Sequence, residues 1–354
     1  MKIRMLTFHS AHNYGALLQC HALYNELVQY GECEVIDYLS NQHDYRLIRR
    51  YKGWKNQLRA MMKYTLLKKR YNLMNDFIAE FHCTEPYDRI TFAKHSFEDC
   101  VCVVGSDQVW SCRPNSYDKA FFLSGVKAKK KIAYAASMGR SEIPAGLKEE
   151  VGQALSAFSA ISVREKSAAA LLKKTYDLSV KAVLDPVFLQ KTEAWRQEER
   201  PLGVPSKYIL VYFLEVPANA KEVLESLKRK MHLPVLAITT INSGRKYGAD
   251  QDLIAVGPRE FLWLFDHAKF VVTSSFHGTA FSIVFEKQFY TLPKRDTAER
   301  MVDLLNSLGL QNRIIKSSND IRNEMIDYKT VNLILQELKT KSKEFIRGAL
   351  MDEA

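Results

Sequence analysis

The chain reads as an α/β protein of two doubly wound, parallel-sheet domains, and three observations predict it. Its 354 residues are too many for one ordinary core and suit two. Short apolar, β-rich runs alternate with segments of helical spacing along most of the length, the pattern of strands joined by crossover helices. A polar stretch near the middle, "KTEAWRQEERPLGVPS" (191–206), carries two prolines and a glycine and reads as a linker.

The first series opens with the strand "KIRMLTF", the helix "YGALLQCHALYNELVQYG" ending at Gly31, and the strand "CEVIDYL". After an unusual insertion it resumes with the strands "CVCVVG", "KKIAYAAS", "AISVRE" and "VKAVLD". Between them lie the helices "GLKEEVGQALSAF" and "EKSAAALLKKTY". The second series has the strands "YILVYFL", "PVLAITT", "FVVTSS" and "QFYTLP", with helices "PREFLWLFDHA", "HGTAFSIVFE" and "AERMVDLLNSL". A long helix over roughly 328–348 finishes the chain. The expected domains are therefore 1–195, with a basic helical insertion at about 44–80, then 205–325, then a C-terminal helical segment 326–354. Two such domains put a functional cleft between them, at the carboxyl ends of the strands.

Composition narrows the partners. Hydrophobic residues at 47%, with 18 Phe and 17 Tyr, supply two cores and exclude a disordered chain. A formal charge of +11 points to an anionic partner: nucleic acid, a phosphorylated metabolite or a membrane surface. Much of it sits in residues 44–75, where ten Lys or Arg face one acid, Asp44, with Trp54, Tyr, Leu and Met interleaved. That segment is either a solvated helical face or a membrane-surface or partner-binding element. No nucleic-acid module accompanies the charge, so nucleic acid is not expected. The six cysteines lack C-x-x-C pairs and read as reduced core residues, with no metal site expected. "MKIRMLTF" does not read as a signal peptide, and no window of about 18 apolar residues exists. A cytoplasmic protein, with peripheral contact at the inner membrane face, is the expectation.

The chemistry-bearing motifs fall at predicted strand ends. In "SSFHGTAFS" (274–282), Ser274 or Ser275 can cap the following helix, and Gly278 lets a ligand approach its backbone. A helix N-terminus suits an anion, and His277 in its first turn can exchange a proton with one. The alternative is a structural histidine bonded to a neighbouring loop. "VVGSDQVW" (103–110) repeats the strand-to-glycine design with Ser106, Asp107 and Gln108. There Asp107 orients a substrate hydroxyl or a basic residue, or caps a helix. "ISVREKSA" (161–168) offers Arg164 as a bidentate anion binder or as the partner of a nearby acid. "VLDP" (183–186) reads as a rigid turn at Asp185. "HSAHNYGALLQ" (9–19) sets His9, His12, Asn13 and Tyr14 ahead of a helix that can receive an anion or a sugar hydroxyl.

Together "NYGALLQCHAL", "VVGSDQVW", "SVRE", "LDPVFL" and "GPREFLWLFDHAKFVVTSSFHGTAFSIVFEKQF" resemble the polysaccharide pyruvyltransferase family, in order, from about residue 3 to about 308. The resemblance implies two Rossmann-like domains arranged as in GT-B glycosyltransferases. It also implies transfer of the enolpyruvyl-derived group of phosphoenolpyruvate to a sugar, giving a cyclic pyruvate ketal on a capsule or exopolysaccharide precursor. No cofactor is implied, phosphoenolpyruvate being the donor substrate. By family analogy Arg164 binds the donor's anionic groups and His277 is the acid/base. Some relatives carry Arg two positions before that histidine, where this chain has Ser275. Lys294, Arg295 and Arg300 are the candidate replacements.

On this reading the second domain is the donor side, with Ser274, Ser275, Gly278 and Thr279 added to those cations. The first is the acceptor side, with His12, Asn13, Tyr14, Ser106, Asp107 and Gln108, for a saccharide carried on a polyprenyl diphosphate. A GT-B glycosyltransferase using a nucleotide sugar, or a non-catalytic scaffold of envelope polysaccharide assembly, are the alternative functions.

Overall fold

The computed structural model describes residues 1–39, 53–139, 142–241, 243–293 and 298–351. In chain order the first part holds β1 (Lys2–Leu6), α1 (Tyr14–Leu27), β2 (Glu32–Tyr38), α2 (Trp54–Met62) and α3 (Tyr64–Ile78). It continues through β3 (Cys83–Tyr87), α4 (Arg89–Lys94), β4 (Ser96–Val104), β5 (Lys127–Ala136) and α5 (Lys148–Ser156). Then come β6 (Ala160–Val163), α6 (Lys166–Tyr176), β7 (Val180–Ala182) and α7 (Thr192–Gln197). The later part holds β8 (Ile209–Tyr212), α8 (Ala220–Met231), β9 (Val235–Ile238), β10 (Gln251–Leu253) and α9 (Pro258–His267). It closes with β11 (Phe270–Thr273), α10 (Phe276–Val284), β12 (Gln288–Thr291), α11 (Ala298–Ser307) and α12 (Tyr328–Met351).

These elements form two compact units. Unit 1 has a seven-stranded sheet in the order β3-β2-β1-β4-β5-β6-β7, and unit 2 a five-stranded one, β10-β9-β8-β11-β12. Every pairing between these strands is parallel. In β8, β9 and β11 every residue is buried, as expected of strands covered by helices on both faces. The strand order reverses direction between β1 and β4 in unit 1 and between β8 and β11 in unit 2. At those two points the connections leave to opposite sides, which opens a crevice at the carboxyl ends of the strands.

Three boundaries differ from the sequence-based expectation. The described part of the basic insertion, α2 and α3 up to Phe77, packs in unit 2 instead of the N-terminal domain. Ala60 and Leu67 share a small core with Ile241 and Ile254, and Arg70 donates to the Thr239 carbonyl at 3.1 Å. The C-terminal segment is not separate: from Leu333 it belongs to unit 1. There Ser342 Oγ accepts from the Leu184 amide at 3.0 Å, and Lys343 pairs with buried Glu26 at 2.7 Å. The expected linker 191–206 begins as α7 of unit 2, because Trp195 is buried edge-on against Phe281. An apolar anchor of that size outweighs the polar residues around it. Of the basic stretch, Asp44, Arg46, Arg49, Arg50, Tyr51 and Lys52 lie outside the described residues.

All six cysteines are unbridged, and burial pushes the thiols of Cys33 and Cys102 up to about 12. Such thiols pack as small apolar groups.

A titrating carboxyl lies beside α7. Burial, then the charge of Asp266, pushes Glu199 up to about 7. Asp266 stays below the usual range despite its own burial, because Arg196 bonds it at 2.8 Å and Lys287 pairs with it at 3.2 Å. The folded protein thus favours protonated Glu199. This contribution to stability is complete below about pH 4.5 and is lost as pH rises through about 7. Glu199→Gln is expected to flatten the stability profile across that window. It should leave the protein about 1–2 kcal/mol more stable than wild type at alkaline pH, a figure discounted for partial solvent screening. Thermal unfolding over a pH series checks it, and identical slopes for both proteins would mean that Glu199 ionises normally.

Candidate functional site

In unit 2 the candidate site lies at the switch point. β8 and β11 run side by side with Tyr212 opposite Thr273, and the chain leaves β11 through Ser274 and Ser275 into α10. Ser275 caps the helix: its backbone is extended and its Oγ accepts the Gly278 amide at 3.3 Å. Ser274 Oγ donates to the Glu215 carbonyl at 3.0 Å, tying the loop after β8 to the helix start. Gly278 is required by contact, since a Cβ there would collide with Thr273 Oγ1 and press Tyr212. Thr279 is turned inward, donating to the Ser275 carbonyl at 3.1 Å and meeting Thr291 Oγ1 at 3.3 Å.

His277 is buried in the first turn of α10, and Arg300 of α11 lies with its guanidinium 5.8 Å from the Phe276 ring. Histidine, arginine and the positive end of the helix therefore share one corner of the unit. Of the expected donor set, this corner gathers Ser274, Ser275, Gly278 and Arg300, along with the expected acid/base His277. The hydroxyls of Ser274, Ser275 and Thr279 are spent on the fold. Lys294 and Arg295 lie outside the described residues.

In unit 1 the switch point between β1 and β4 is built from buried polar bonds. Ser106 donates its amide to Gln19 Oε1 at 3.1 Å, Gln19 Nε2 donates to Thr7 Oγ1 at 2.9 Å, and Thr7 Oγ1 donates to the Ser106 carbonyl at 3.1 Å. Gly105 has φ of 120°, and a Cβ would strike the Tyr134 carbonyl, so only glycine fits. Asp107 follows in the left-handed region at φ 69°. Asn13 caps α1 by accepting the Ala16 amide at 3.2 Å. His9 Nε2 lies 3.0 Å from Asp37 Oδ1.

Arg164 leaves β6 into a buried ion cluster. Its Nη1 is 3.1 Å from Asp185 Oδ2 and its Nη2 3.6 Å from Asp107 Oδ1, and the Arg164 and Asp185 side chains are only 3% and 0% exposed. Next to it, buried Glu165 accepts from Ser137 Oγ. Among the described residues Arg164 is thus shared between two carboxylates, with the carboxylate of Glu165 adjacent.

Of the expected acceptor set, His12, Asn13, Asp107 and Gln108 keep solvent access, whereas Tyr14 and Ser106 are fully buried. Arg164 and His277 belong to different units. Sequence reasoning missed two residues. Asp185, read as a turn residue, is the buried partner of Arg164, and an acid closing a strand before proline was the available signal. Gln19 had none, since nothing local distinguishes it from a surface glutamine on α1.

A family profile described as polysaccharide pyruvyl transferase matches residues 13–293. The chain belongs to the polysaccharide pyruvyl transferase family. Membership makes this pyruvyl transferase an enzyme of polysaccharide biosynthesis that moves pyruvyl groups. A comparison with curated proteins gives no significant match. Among solved structures it is similar to the UDP-GlcNAc 2-epimerase of Neisseria meningitidis bound to UDP-GlcNAc. That match has 12% identity and a TM-score of 0.50, with all of both chains covered. A second UDP-N-acetylglucosamine 2-epimerase gives 12% identity and a TM-score of 0.51 over 99% of this chain and 95% of the other. A putative epimerase of Listeria monocytogenes gives 11% and 0.50 over 99% and 97%. Identities this low establish fold alone, and the fold these neighbours share is GT-B. No described helix of the pyruvyl transferase is long and apolar enough to cross a membrane.

Proposed function

We propose that the protein transfers the enolpyruvyl-derived group of phosphoenolpyruvate to a sugar of a cell-surface polysaccharide precursor, forming a cyclic ketal and releasing phosphate. The observation that carries this reading is the position of His277. It stands in the first turn of a capped helix at the switch point of the second sheet, next to Phe276, over whose ring Arg300 lies. The helix end and Arg300 offset donor charge. His277 gives a proton to the donor's methylene carbon, and the adjacent carbon becomes an oxocarbenium-like centre. A first sugar hydroxyl attacks that centre and returns its proton to His277. Phosphate then leaves, a second hydroxyl closes the ketal, and the second hydroxyl's proton departs with phosphate. Asp107, Gln108, His12 and Asn13 of unit 1 are the candidates for acceptor hydroxyls, and Arg164, the further donor-binding candidate, is held by Asp185 and Asp107.

The test is incubation of lipid-linked saccharides with phosphoenolpyruvate, read by mass spectrometry with a phosphate assay. Gain of one pyruvyl ketal per phosphate released is expected. Glycosyl transfer from a nucleotide sugar, with phosphoenolpyruvate inert, would overturn the reading.

The acceptor is proposed to be carried on a polyprenyl diphosphate, with the protein held at an anionic membrane surface. Trp54, Leu58, Met61 and Met62 recur at helical spacing on α2 and are exposed, Trp54 and Met62 at 72%. Lys55, Arg59, Lys68 and Lys69 accompany them, whereas the opposite side buries Ala60 and Leu67. An exposed apolar stripe among cations fits a helix lying in a lipid headgroup layer. Each cation contributes about 1 kcal/mol there. Vesicles rich in anionic lipid are expected to co-sediment the wild type at low salt and to release it at high salt. A Trp54→Ser/Met62→Ser/Lys68→Gln/Lys69→Gln variant should stay in the supernatant. Equal partitioning of both proteins would make the stripe a solvated face.

A further inference from the structure

The amino ends of β11 and β12 hold a cavity, at the opposite end of those strands from His277. It measures about 230 Å³ and lies among the last turn of α8, the first residues of both strands and the segment 321–325. β11 is four residues long, so the two sites are separated by about 10 Å of strand. The cavity is smaller than the roughly 300–1,000 Å³ of drug-sized sites, which limits an occupant to about a single ring.

Its lining is cationic and aromatic. Lys230, Lys269, Arg313 and Arg322 contribute four positive charges against one carboxylate, Glu324. Phe270 and Tyr290 form one wall, their rings 5.4 Å apart, with Leu227 and Met325 also facing the space. Arg313 is only 3% exposed and sits with its guanidinium 5.8 Å from the Tyr290 ring. Its Nη2 donates to the Glu324 carbonyl at 2.9 Å, yet its Nε has no hydrogen-bond partner among the described residues. An unmet donor on a buried guanidinium is costly unless something else accepts from it. The walls are also firmly built: Tyr290 Oη bridges the Arg322 amide and carbonyl, and the Gln288 side chain pairs with the Ile326 backbone.

We propose that this cavity is an accessory binding site for a small organic carboxylate with a flat apolar body. The carboxylate meets Arg313 and Lys269, and the ring lies between Tyr290, Phe270 and Leu227. Neither half of the ligand suffices alone, because the lining combines charge with apolar walls.

Isothermal titration with benzoate tests it, with benzyl alcohol supplying the ring without the charge and inorganic phosphate the charge without the ring. Saturable benzoate binding is expected, at least about tenfold tighter than either control. Lys269→Gln, on the exposed rim, and Arg313→Met should each weaken benzoate by about tenfold. Circular dichroism shows whether Arg313→Met folds. If it does not, Lys269→Gln and Arg322→Gln carry the comparison. Absence of benzoate binding, or equal affinity in the wild type and every folded variant, would overturn the proposal.

Discussion

His277→Ala is expected to lower turnover by about 10²-fold or more, with a far smaller change in the Michaelis constant for phosphoenolpyruvate. The size follows from the loss of a positioned proton carrier, worth typically 10²–10⁴-fold. The direction of the split follows from where the charge develops, since protonating the methylene carbon occurs only in the transition state. Alanine alone does not separate this role from packing, because His277 is buried beside Phe276, their rings 5.2 Å apart. His277→Gln makes the distinction. Glutamine keeps most of the volume and a hydrogen-bonding end but transfers no proton at neutral pH. A structural histidine would be rescued by it, whereas a proton carrier would not. Steady-state kinetics on both variants, with thermal unfolding as the folding control, is the measurement. Near-wild-type turnover in His277→Gln removes the residue from the chemistry.

Why the strand ends were legible while the packing was not has a physical basis. A run such as "FVVTSSFHG" carries its own evidence: four buried β-rich residues, a cap and a glycine that lets the helix start close to the sheet. The same holds for "VVGS", where Gly105 is dictated by the carbonyl of Tyr134. Local signals of this kind fix elements and the positions between them. They do not say which neighbour an amphipathic helix chooses. Ala60 and Leu67 are compatible with any apolar surface, and only Ile241 and Ile254, about 180 residues on, assign α2 and α3 to the second unit. Ser342 looks like a surface residue of α12 until the amide of Leu184 is found on it. Tyr14 and Thr279, both offered as ligand candidates, are buried, and the sequence was silent on that for a related reason. A hydroxyl at a helix start faces either the ligand or the core, and the residue type does not decide which.

Arg164→Ala is expected to be the most destabilising of the substitutions considered. Asp185 has no exposed side-chain surface, and Asp107 lies on the other side of the same guanidinium. Removing the cation takes the Arg164 countercharge from a buried carboxylate, a change that costs about 3–5 kcal/mol. For a unit of this size the melting temperature should fall by roughly 10 °C. Arg164→Lys keeps a charge but not the fork that reaches both acids, so its loss of stability should be intermediate. A compensating pair sharpens the point: Arg164→Met with Asp185→Leu removes both charges together and should recover part of the stability lost in Arg164→Ala. Recovery will be incomplete because Asp185 also accepts the Val187 amide at 3.0 Å. Donor anchoring makes a separate demand on the same residue. If Arg164 also binds phosphoenolpyruvate, then Arg164→Lys, assayed well below its melting temperature, must raise the donor Michaelis constant while the acceptor's stays put. An unchanged donor constant in that folded variant confines Arg164 to holding the ends of β4, β6 and β7 together. Binding of the anionic donor would then rest on the helix end beside His277.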